Sequence, residues 1–312
     1  MKKIKVLSLI TIAFFALSLT SCLSSGHESF TYEKPLSGSQ NFSYITDLST
    51  GDEYIVGTGA DYNFSFEATD HTLSIYATGL QLRSGAGSYT FRIDDISFKY
   101  DKFGAIAATQ GTYTDPVNNV TISNLDLNYQ QRSIGMMNMD VYTFTYTIDN
   151  RYKVRVIQTS TFYFGETEIK DINTSDVELN NKTVYYCVTF DPKTLEGTTM
   201  ESSIWAYNIL LPGQKDKALY EFAQPLKATF TADGYKLSAI NAKIFKDNSK
   251  DPFEMVASNI QADGSFILSD DGEQRNPNLR IGITLDNKYR ITSSVGLSMT
   301  KELAEEFEKI PM

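Results

Sequence analysis

The sequence contains little of what most enzyme active sites and metal centres use. Its 312 residues include two histidines, His27 and His71, two cysteines, Cys22 and Cys187, and one tryptophan, Trp205. Catalysis by a Ser–His or Cys–His pair and structural zinc coordination both need more of these residues than the chain offers. We therefore expect no metal and no cofactor, and a protein that is not an enzyme.

Basic residues are also scarce. The chain has 28 Lys and Arg against 38 Asp and Glu, a formal net charge of -10. The first 21 residues hold three lysines and no acidic residue, so the rest has 25 basic and 38 acidic residues, a net charge of -13. Because a surface of this sign repels phosphate, the composition argues against a nucleic-acid partner and against electrostatic docking on anionic lipid.

The longest hydrophobic run lies at the start of the chain. Three lysines precede the largely apolar run Val6–Leu19, which is 14 residues long, and small polar residues follow. This run is short for a transmembrane helix but has the length of a signal-peptide core. We predict that residues 1–21 are a signal peptide.

A cysteine motif follows this run. Leu19-Thr20-Ser21-Cys22 resembles the lipobox of bacterial lipoproteins, which has an aliphatic residue, two small residues and a cysteine. The resemblance implies that Cys22 becomes the mature N-terminus and the site of lipid attachment. Since each buried methylene contributes about 0.8 kcal/mol, two or more acyl chains would hold the protein on a membrane. We expect residues 22–34 to be a lipidated tether.

The N-terminus as a whole is similar to lipoproteins of the Bacteroidota, which implies a position in the cell envelope at the outer membrane. Position 23 is Leu, so the Asp of the enteric inner-membrane retention signal is absent. Many members of this group carry an acidic run that directs them to the cell surface, whereas here the nearby acid is Glu28. The periplasmic and the surface face both remain open.

The rest of the chain shows the two-residue hydrophobic period of β-strands. In residues 142–148, for example, Tyr, Phe, Tyr and Ile alternate with three threonines. Turn segments such as residues 84–87 separate such runs. The pattern predicts an all-β fold of antiparallel strands. The exception is residues 301–310, which are predicted to form a short C-terminal helix capped by Thr300.

Two segments recur in the same order along the chain. Residues 147–154 match 284–291, and residues 66–74 match 230–238. The repetition predicts two related β-domains, residues 35–170 and 183–312, joined by a polar linker at 171–182. The matched segments are 27 positions further apart in the first copy, and we expect the extra residues within 112–140. The alternative is coincidence, because alternating hairpins resemble one another.

The repeated hairpin predicts its own register. A two-residue loop would pair Ile148 with Arg151 and place core and solvent residues on one face of the sheet. A three-residue loop pairs Ile148 with Tyr152 and keeps the faces separate. We therefore predict an odd-length loop or bulge at residues 149–151 and at 286–288.

Each β-domain is compatible with a sandwich or an up-and-down barrel. Closely spaced strands and few prolines favour the barrel. The alternating runs 73–80 and 91–98 are similar to calycin-like lipoproteins of the Bacteroidota, which implies a calycin-like barrel but no particular ligand.

A cluster of methionines stands out within the extra residues of the first copy. Ile134, Met136, Met137 and Met139 lie within six positions. Methionine is flexible and polarizable, so it suits apolar surfaces that bind varied partners. It also fills gaps beneath long loops, which is the alternative. We predict these four as ligand-binding residues.

Paired carboxylates are the one catalytic device that the composition supplies in quantity. The candidates are Asp94-Asp95, Glu166 with Glu168, and Asp270-Asp271, and the alternative is that all are solvated surface acids. A glycosidase needs two carboxyl groups roughly 5–10 Å apart across a cleft. Cys187 and Trp205 lie in apolar strands and are expected in the core.

Together these features predict a lipid-anchored envelope protein that is a non-enzymatic binding module for a small molecule, a lipid or a glycan. The alternative is a structural or adhesive subunit of a surface complex or pilus-like assembly. A carboxylate-based glycoside hydrolase is a further possibility.

Overall fold

The computed structural model describes residues 31–100, 106–134, 137–246, 252–266 and 278–296. Apart from a turn of 3-10 helix at Gly38–Gln40, the regular structure in these ranges is antiparallel β-sheet. The all-β prediction is confirmed. Residues 1–30 and 297–312 lie outside the described residues, and with them the predicted signal peptide, Cys22 and the predicted helix 301–310.

The first eleven strands form one unit. They are β1 (Thr31–Leu36), β2 (Asn41–Asp47), β3 (Glu53–Val56), β4 (Asp61–Glu67), β5 (Thr72–Gln81), β6 (Ser88–Ser97), β7 (Lys99–Tyr100), β8 (Ile106–Asp115), β9 (Val120–Ile134), β10 (Met137–Ile148) and β11 (Tyr152–Gln158). Sheet pairing follows the orders β1-β4-β5-β6 and β3-β2-β11-β10-β9-β8-β7.

This unit is an up-and-down meander whose strands bend between two sheets. The pairs β1/β2, β3/β4 and β6/β7 are consecutive in the chain, and each contributes one member to each sheet. Counted as bent strands, they give eight strands in sequence order, and the first closes against the last through the β2–β11 pairing. The core between the sheets is rich in buried aromatic rings, including Phe64, Phe66, Phe91 and Phe144.

The second unit is a closed barrel of eight strands in sequence order. They are β12 (Ser160–Asp171), β13 (Val177–Glu196), β14 (Thr199–Ile209), β15 (Ala218–Thr231), β16 (Gly234–Lys246), β17 (Pro252–Ser265), β18 (Asn278–Leu285) and β19 (Tyr289–Gly296). Here too the first strand pairs with the last. Both units therefore share strand count, strand order and the pairing of the first strand with the last, whereas the closed barrel belongs to the second unit and the first divides into two sheets.

The interior of the barrel is packed with side chains. Tyr186, Tyr220 and Phe222 are fully buried. The hydroxyls of Thr167, Tyr186 and Ser293 lie within 2.7–2.8 Å of one another, so these polar groups satisfy each other inside an apolar core. Calycin-type binding within the lumen therefore has no support in the described strands.

The alternation of side chains along β14 explains why some aromatic rings lie outside the barrel core. Ile204 and Ala206 are fully buried and point inward, so Trp205 between them points outward. It is half-buried and stacks on Tyr207, which in turn stacks on Tyr185 at 4.5 Å between ring centroids. The expectation of Trp205 in the core was wrong, whereas Cys187 is buried as expected.

The predicted register of both repeated hairpins is confirmed. Ile148 pairs with Tyr152, and Leu285 pairs with Tyr289, so three residues form each loop. The first two loop residues have positive φ, 49° and 54° in one hairpin and 50° and 51° in the other. The third residue is an extra, bulged position, and it keeps the hydrophobic residues on one face.

The boundary between the units lies at Thr159, since β11 ends at Gln158 and β12 begins at Ser160. Residues 171–182, predicted as a linker, instead form the β12–β13 turn and the start of β13 within the barrel. Polar residues occur in hairpin turns as well as in linkers, so the composition of this segment could not distinguish a turn from a linker. Residues 31–34, predicted in the tether, already belong to β1.

The two units pack directly on one another. Phe42 of β2 makes edge contacts with Phe190 and Phe230 of the barrel, at 5.8 and 5.4 Å between ring centroids. The Arg155 guanidinium lies 4.9 Å from the Phe266 ring. Tyr44, Ile55 and Ile157 of the first unit belong to the same buried cluster as the barrel core. The connection is therefore a hydrophobic interface and not a flexible joint.

One of the two sequence matches falls on equivalent strands and the other does not. Residues 147–154 and 284–291 both span the hairpin before the last strand of their unit. Residues 66–74 span the connection from the second to the third strand, whereas 230–238 span the connection from the fourth to the fifth. The expected surplus of 27 positions rested on this second pair, so that expectation was wrong.

Candidate functional site

Two turns, one in each unit, have the same backbone structure. The first turn is residues 47–52 between β2 and β3, and the second turn is residues 171–176 between β12 and β13. Their sequences are Asp-Leu-Ser-Thr-Gly-Asp and Asp-Ile-Asn-Thr-Ser-Asp. In both, the first N–H donates to the sixth carbonyl, the fifth N–H donates to the first carbonyl, and the first carboxylate accepts from the third N–H.

Each turn is joined to the repeated hairpin of its unit. Leu48 N–H donates to the carbonyl of Arg151 at 2.7 Å, and Ile172 N–H donates to the carbonyl of Lys288 at 2.8 Å. Arg151 and Lys288 are the bulged third loop residues, so their carbonyls are free of the hairpin ladder. The odd loop thus places a cationic side chain beside the first Asp of each turn.

On the side away from the turn, each hairpin loop accepts hydrogen bonds from a neighbouring strand, and these contacts are the same in both units. The Asp149 carboxylate accepts from the Thr121 N–H at 2.9 Å, and the Asp286 carboxylate accepts from the Val256 N–H at 2.8 Å. The next loop residue, Asn150 or Asn287, accepts from the hydroxyl of a serine two positions further along that strand. Asp and Asn also tolerate positive φ, which accounts for the residue types in both loops.

The two turns differ in their charges. In the first, Arg151 contacts Asp47 with both Nε and Nη2, the latter at 2.8 Å, and the carboxylate is fully buried. In the second, Lys288 Nζ lies 4.0 Å from Asp171, which is slightly exposed. The first turn has a further cation, because Arg83 Nη2 lies 3.5 Å from Asp47.

These contacts keep Asp47 ionised. The hydrogen bonds from Arg151, with further ones from Ser49, hold the pKa of the Asp47 carboxyl well below its ordinary value. Two guanidinium groups therefore share this buried carboxylate.

A cleft of about 370 Å³ adjoins this cluster. We call it the Arg83 cleft. It lies between the β5–β6 turn and the first residue of β11, and its lining residues are Leu82, Arg83, Ala86, Gly87, Ser88, Tyr89 and Tyr152. The cleft is small but falls in the range of ligand sites in proteins, and it combines aromatic rings with a few polar groups.

Tyr89, Tyr152 and Arg83 line the cleft, and Tyr54 and Arg151 lie beside it in contact with Arg83 and Tyr152. The Arg83 guanidinium lies 5.9 Å from the Tyr54 ring centroid, and the Arg151 guanidinium lies 4.7 Å from that of Tyr152. The Arg83 and Arg151 side chains are 57% and 47% exposed. Tyr152 and Tyr89 are half-buried and contribute to the cleft wall. Such a wall can stack against a sugar ring while a guanidinium binds an oxyanion.

The four residues predicted to bind ligand lie elsewhere. Ile134 ends β9 and pairs with Met137, which begins β10, while Met139 pairs with Arg132 and is half-buried. Met136 lies outside the described residues. Because β10 continues for eleven positions from Met137 to Ile148, the Met end of this hairpin is roughly 35 Å from the Asp149 loop. The structure therefore does not bring these residues to the Arg83 cleft, and their role in binding stays a prediction.

The candidate catalytic acids lie on the surface in the described part of the chain. Asp94 and Asp95 are both exposed, because a bulge with Asp95 at φ 60° interrupts β6. Glu166 and Glu168 pair with Lys182 and Lys170 at 2.9 and 2.7 Å. Asp270 and Asp271 lie outside the described residues. Within the ranges given above, three or more His, Cys, Asp or Glu side chains nowhere gather as a metal site.

Comparisons with known proteins give no relative from which a function could be transferred. No family model, no curated protein and no solved structure matches the chain. The described residues also include no helix with the length and apolarity needed to cross a lipid bilayer.

The sequence pattern did not reveal Asp47 and Arg83. Arg151 and Tyr152 do lie in the repeated segment 147–154, and Gly85 and Gly87 were recognised as turn residues. The resemblance between residues 47–52 and 171–176 was an available signal.

Proposed function

We propose that this protein is a lipid-anchored, non-enzymatic binding module of the cell envelope, and that it binds a glycan at the Arg83 cleft. The observation that carries the proposal is the wall of the cleft, where the half-buried rings of Tyr89 and Tyr152 adjoin the exposed Arg83 side chain. Aromatic faces bind the C–H face of sugars, and arginine binds their oxygen atoms. The lipobox resemblance at residues 19–22 supports the anchor.

The similar turns and hairpins also support an internal repeat. Both units have eight strands in the same order, and the backbone contacts of their first turns and last hairpins agree pair by pair. We infer that the second unit preserves the structural version of the turn, while the first has acquired the binding surface.

A structural or adhesive subunit is less well supported. Such a subunit usually offers a long, exposed strand edge to its partner. In the described chain the sheet-edge strands β1, β3 and β7 are short, and β1 carries Lys34 and Pro35, which are typical of protected edges. The fourth edge strand, β6, has ten residues, but it lies against β8, and the bulge at Asp94 and Asp95 places charged residues on it and interrupts its edge. The described strands of the second unit form a closed barrel, in which the first strand pairs with the last.

A binding screen tests the proposal. The purified protein is applied to arrays of neutral and acidic glycans and of lipids, together with Tyr89→Ala and the control Tyr76→Ala, whose ring is 46% exposed on β5 and does not line the cleft. We expect glycan binding by the wild type and by Tyr76→Ala, and at least about tenfold weaker binding by Tyr89→Ala. Retention of lipids alone, or equal binding by both variants, would contradict the proposal.

A further inference from the structure

Comparison of the two similar turns shows which of the cations beside Asp47 the turn needs for its structure. In the second turn, one carboxylate and one lysine at 4.0 Å accompany the same backbone hydrogen bonds that the first turn has. The fold of such a turn therefore requires no more than one cation beside its Asp. The first turn has Arg151 in that position, and Arg151 already contacts both oxygens of Asp47.

Arg83 is thus not needed for the structure of the first turn. Its Nη2 is 3.5 Å from Asp47, longer than the 2.8 Å contact of Arg151, and its side chain is 57% exposed. A guanidinium has five N–H donors, and its contacts with the Asp47 carboxylate and the Tyr54 hydroxyl leave several of them for a ligand. Among the described residues, Asp47 is the one carboxylate within ion-pair distance of Arg83. Its remaining hydrogen-bonding capacity is available at the cleft, which Arg83 itself lines.

The position of Arg83 is also fixed. Leu82, the preceding residue, is buried in the core of the first unit, and the Ala86 N–H donates to the Arg83 carbonyl at 3.0 Å. The guanidinium lies over the Tyr54 ring. A cation held in this way loses less conformational entropy on binding than a freely moving side chain.

We infer that the ligand of the Arg83 cleft is an acidic saccharide, in which a carboxylate accepts hydrogen bonds from the Arg83 guanidinium while a sugar ring contacts Tyr89 and Tyr152. This inference rests on the proposed function and names its ligand class. A planar carboxylate matches the fork of guanidinium donors, and the exposed Arg83 guanidinium makes a neutral sugar the weaker ligand. The net negative charge of the chain gives such a ligand no general attraction, so binding depends on this site.

Isothermal titration calorimetry of the full-length protein, extracted from membranes in detergent, tests the inference. The probes are trigalacturonate and its fully methyl-esterified form, which keeps the rings and removes the charges. We expect trigalacturonate to bind at least about tenfold more tightly than the ester, because a hydrogen bond between charged groups is lost in the ester. The advantage should shrink as salt is raised from 50 to 500 mM.

Substitutions of Arg83 test whether this residue accounts for the preference for trigalacturonate over its ester. Arg83→Gln should weaken trigalacturonate binding about tenfold or more and leave the weaker binding of the ester unchanged, with an unaltered melting temperature. Arg83→Lys should retain part of the affinity. The matched control is Lys288→Gln, which removes the cation from the second turn and should leave binding unchanged.

Each other outcome is decisive. Equal affinity for trigalacturonate and its ester would overturn the acidic class while leaving glycan binding intact. Unchanged affinity in Arg83→Gln, or binding of a sulfated dextran but not of trigalacturonate, would also overturn it. Absence of binding to every glycan in the screen would instead remove the proposed function itself.

Discussion

Asp47 is a carboxylate fully shielded from solvent with two arginines as partners, whereas Asp171, at the equivalent position of the barrel, retains some exposure and one distant lysine. Burial makes an ion pair costly to break, since the remaining charge has lost its water and its partner. The same residue in the same turn therefore contributes differently to stability in the two units.

We expect Asp47→Asn to lower the melting temperature more than Asp171→Asn. The first change removes a fully buried carboxylate that accepts hydrogen bonds from Arg151 and Ser49, and the second affects a more exposed carboxylate with one distant lysine. Thermal unfolding followed by circular dichroism at pH 7 measures both. Equal decreases would show that the backbone contacts of the turn, and not the charges, determine its stability.

Asp115 is a second buried carboxylate with a lowered pKa. Burial alone would raise that pKa, but hydrogen bonds from the Asn118 side chain and from the N–H groups of Arg92, Asn118 and Val117 outweigh it and lower it to about 2. The pKa of Asp47 is lowered as well. Both groups therefore bind protons more weakly in the folded than in the unfolded protein.

Acid should consequently destabilise the protein. The contribution of each carboxylate is complete above the unfolded pKa of about 3.9 and is lost as the pH falls through the folded pKa. We expect the urea midpoint to fall between about pH 4 and pH 2, and to fall less steeply in Asp115→Asn. Glu201→Gln, at an exposed position, is the control. Parallel curves for all three proteins would exclude a role for Asp115.

At the scale of single elements, the three-residue hairpin loop decides both register and side-chain placement. Its two residues of positive φ turn the chain, and its bulged third residue presents Arg151 to Asp47. Without the bulge, the cation would have to come from another part of the molecule.

We expect Asn150→Val to destabilise the protein by about 1–2 kcal/mol, because a β-branched residue is strained at φ 54°. Asn150→Gly should cost less, since glycine accepts this conformation and loses one hydrogen bond to Ser123. Urea unfolding of both variants measures the difference. The same pair of substitutions at Asn287 provides the replicate, and a Val variant as stable as the Gly variant would refute the argument.

The register of this hairpin was predictable because side chains alternate with period two, and one slipped residue would turn Ile148 and Tyr146 toward solvent. The Asp47–Arg151 and Asp47–Arg83 contacts were not, since they join residues 104 and 36 positions apart. The linker prediction failed at residues 171–176, where turn and linker have the same composition. The match between residues 66–74 and 230–238 was misleading because alternating hairpins have similar sequences wherever they occur.

At the scale of the whole molecule, the interface between the units forms one hydrophobic cluster with the barrel core. Phe42 lies at its centre, fully buried between two barrel phenylalanines. A single residue, Thr159, connects the last strand of the first unit to the first strand of the second. Both features favour cooperative unfolding.

We expect Phe42→Ala to lower the free energy of unfolding by about 3–5 kcal/mol, as other large-to-small changes in cores do. The chain should still unfold in one transition, observed by calorimetry. Val117→Ala, at a side chain that is 86% exposed, should have no measurable effect. Two separate transitions, with only the first displaced by Phe42→Ala, would show that the units are independent.

The predicted lipid anchor gives another test at this scale. Cys22→Ala should abolish labelling with radioactive palmitate and move the protein from the membrane fraction to the soluble fraction, because the acyl chains are the expected attachment. The comparison with Cys187→Ala controls for labelling of a second thiol. Continued labelling of Cys22→Ala would refute the lipobox.

The direction of β1 has a consequence for how such an anchored molecule would stand on its membrane. Thr31 pairs with Glu67, which pairs with Thr72 at the start of β5, and the ten residues of β5 extend roughly 30 Å to Gln81, next to Arg83. The chain thus enters the first unit at the pole opposite the cleft. If Cys22 is acylated as proposed, the Met137 end of the β9–β10 hairpin lies at the pole nearer the anchor, and the cleft lies at the pole farther from it, open to polymers arriving from solution.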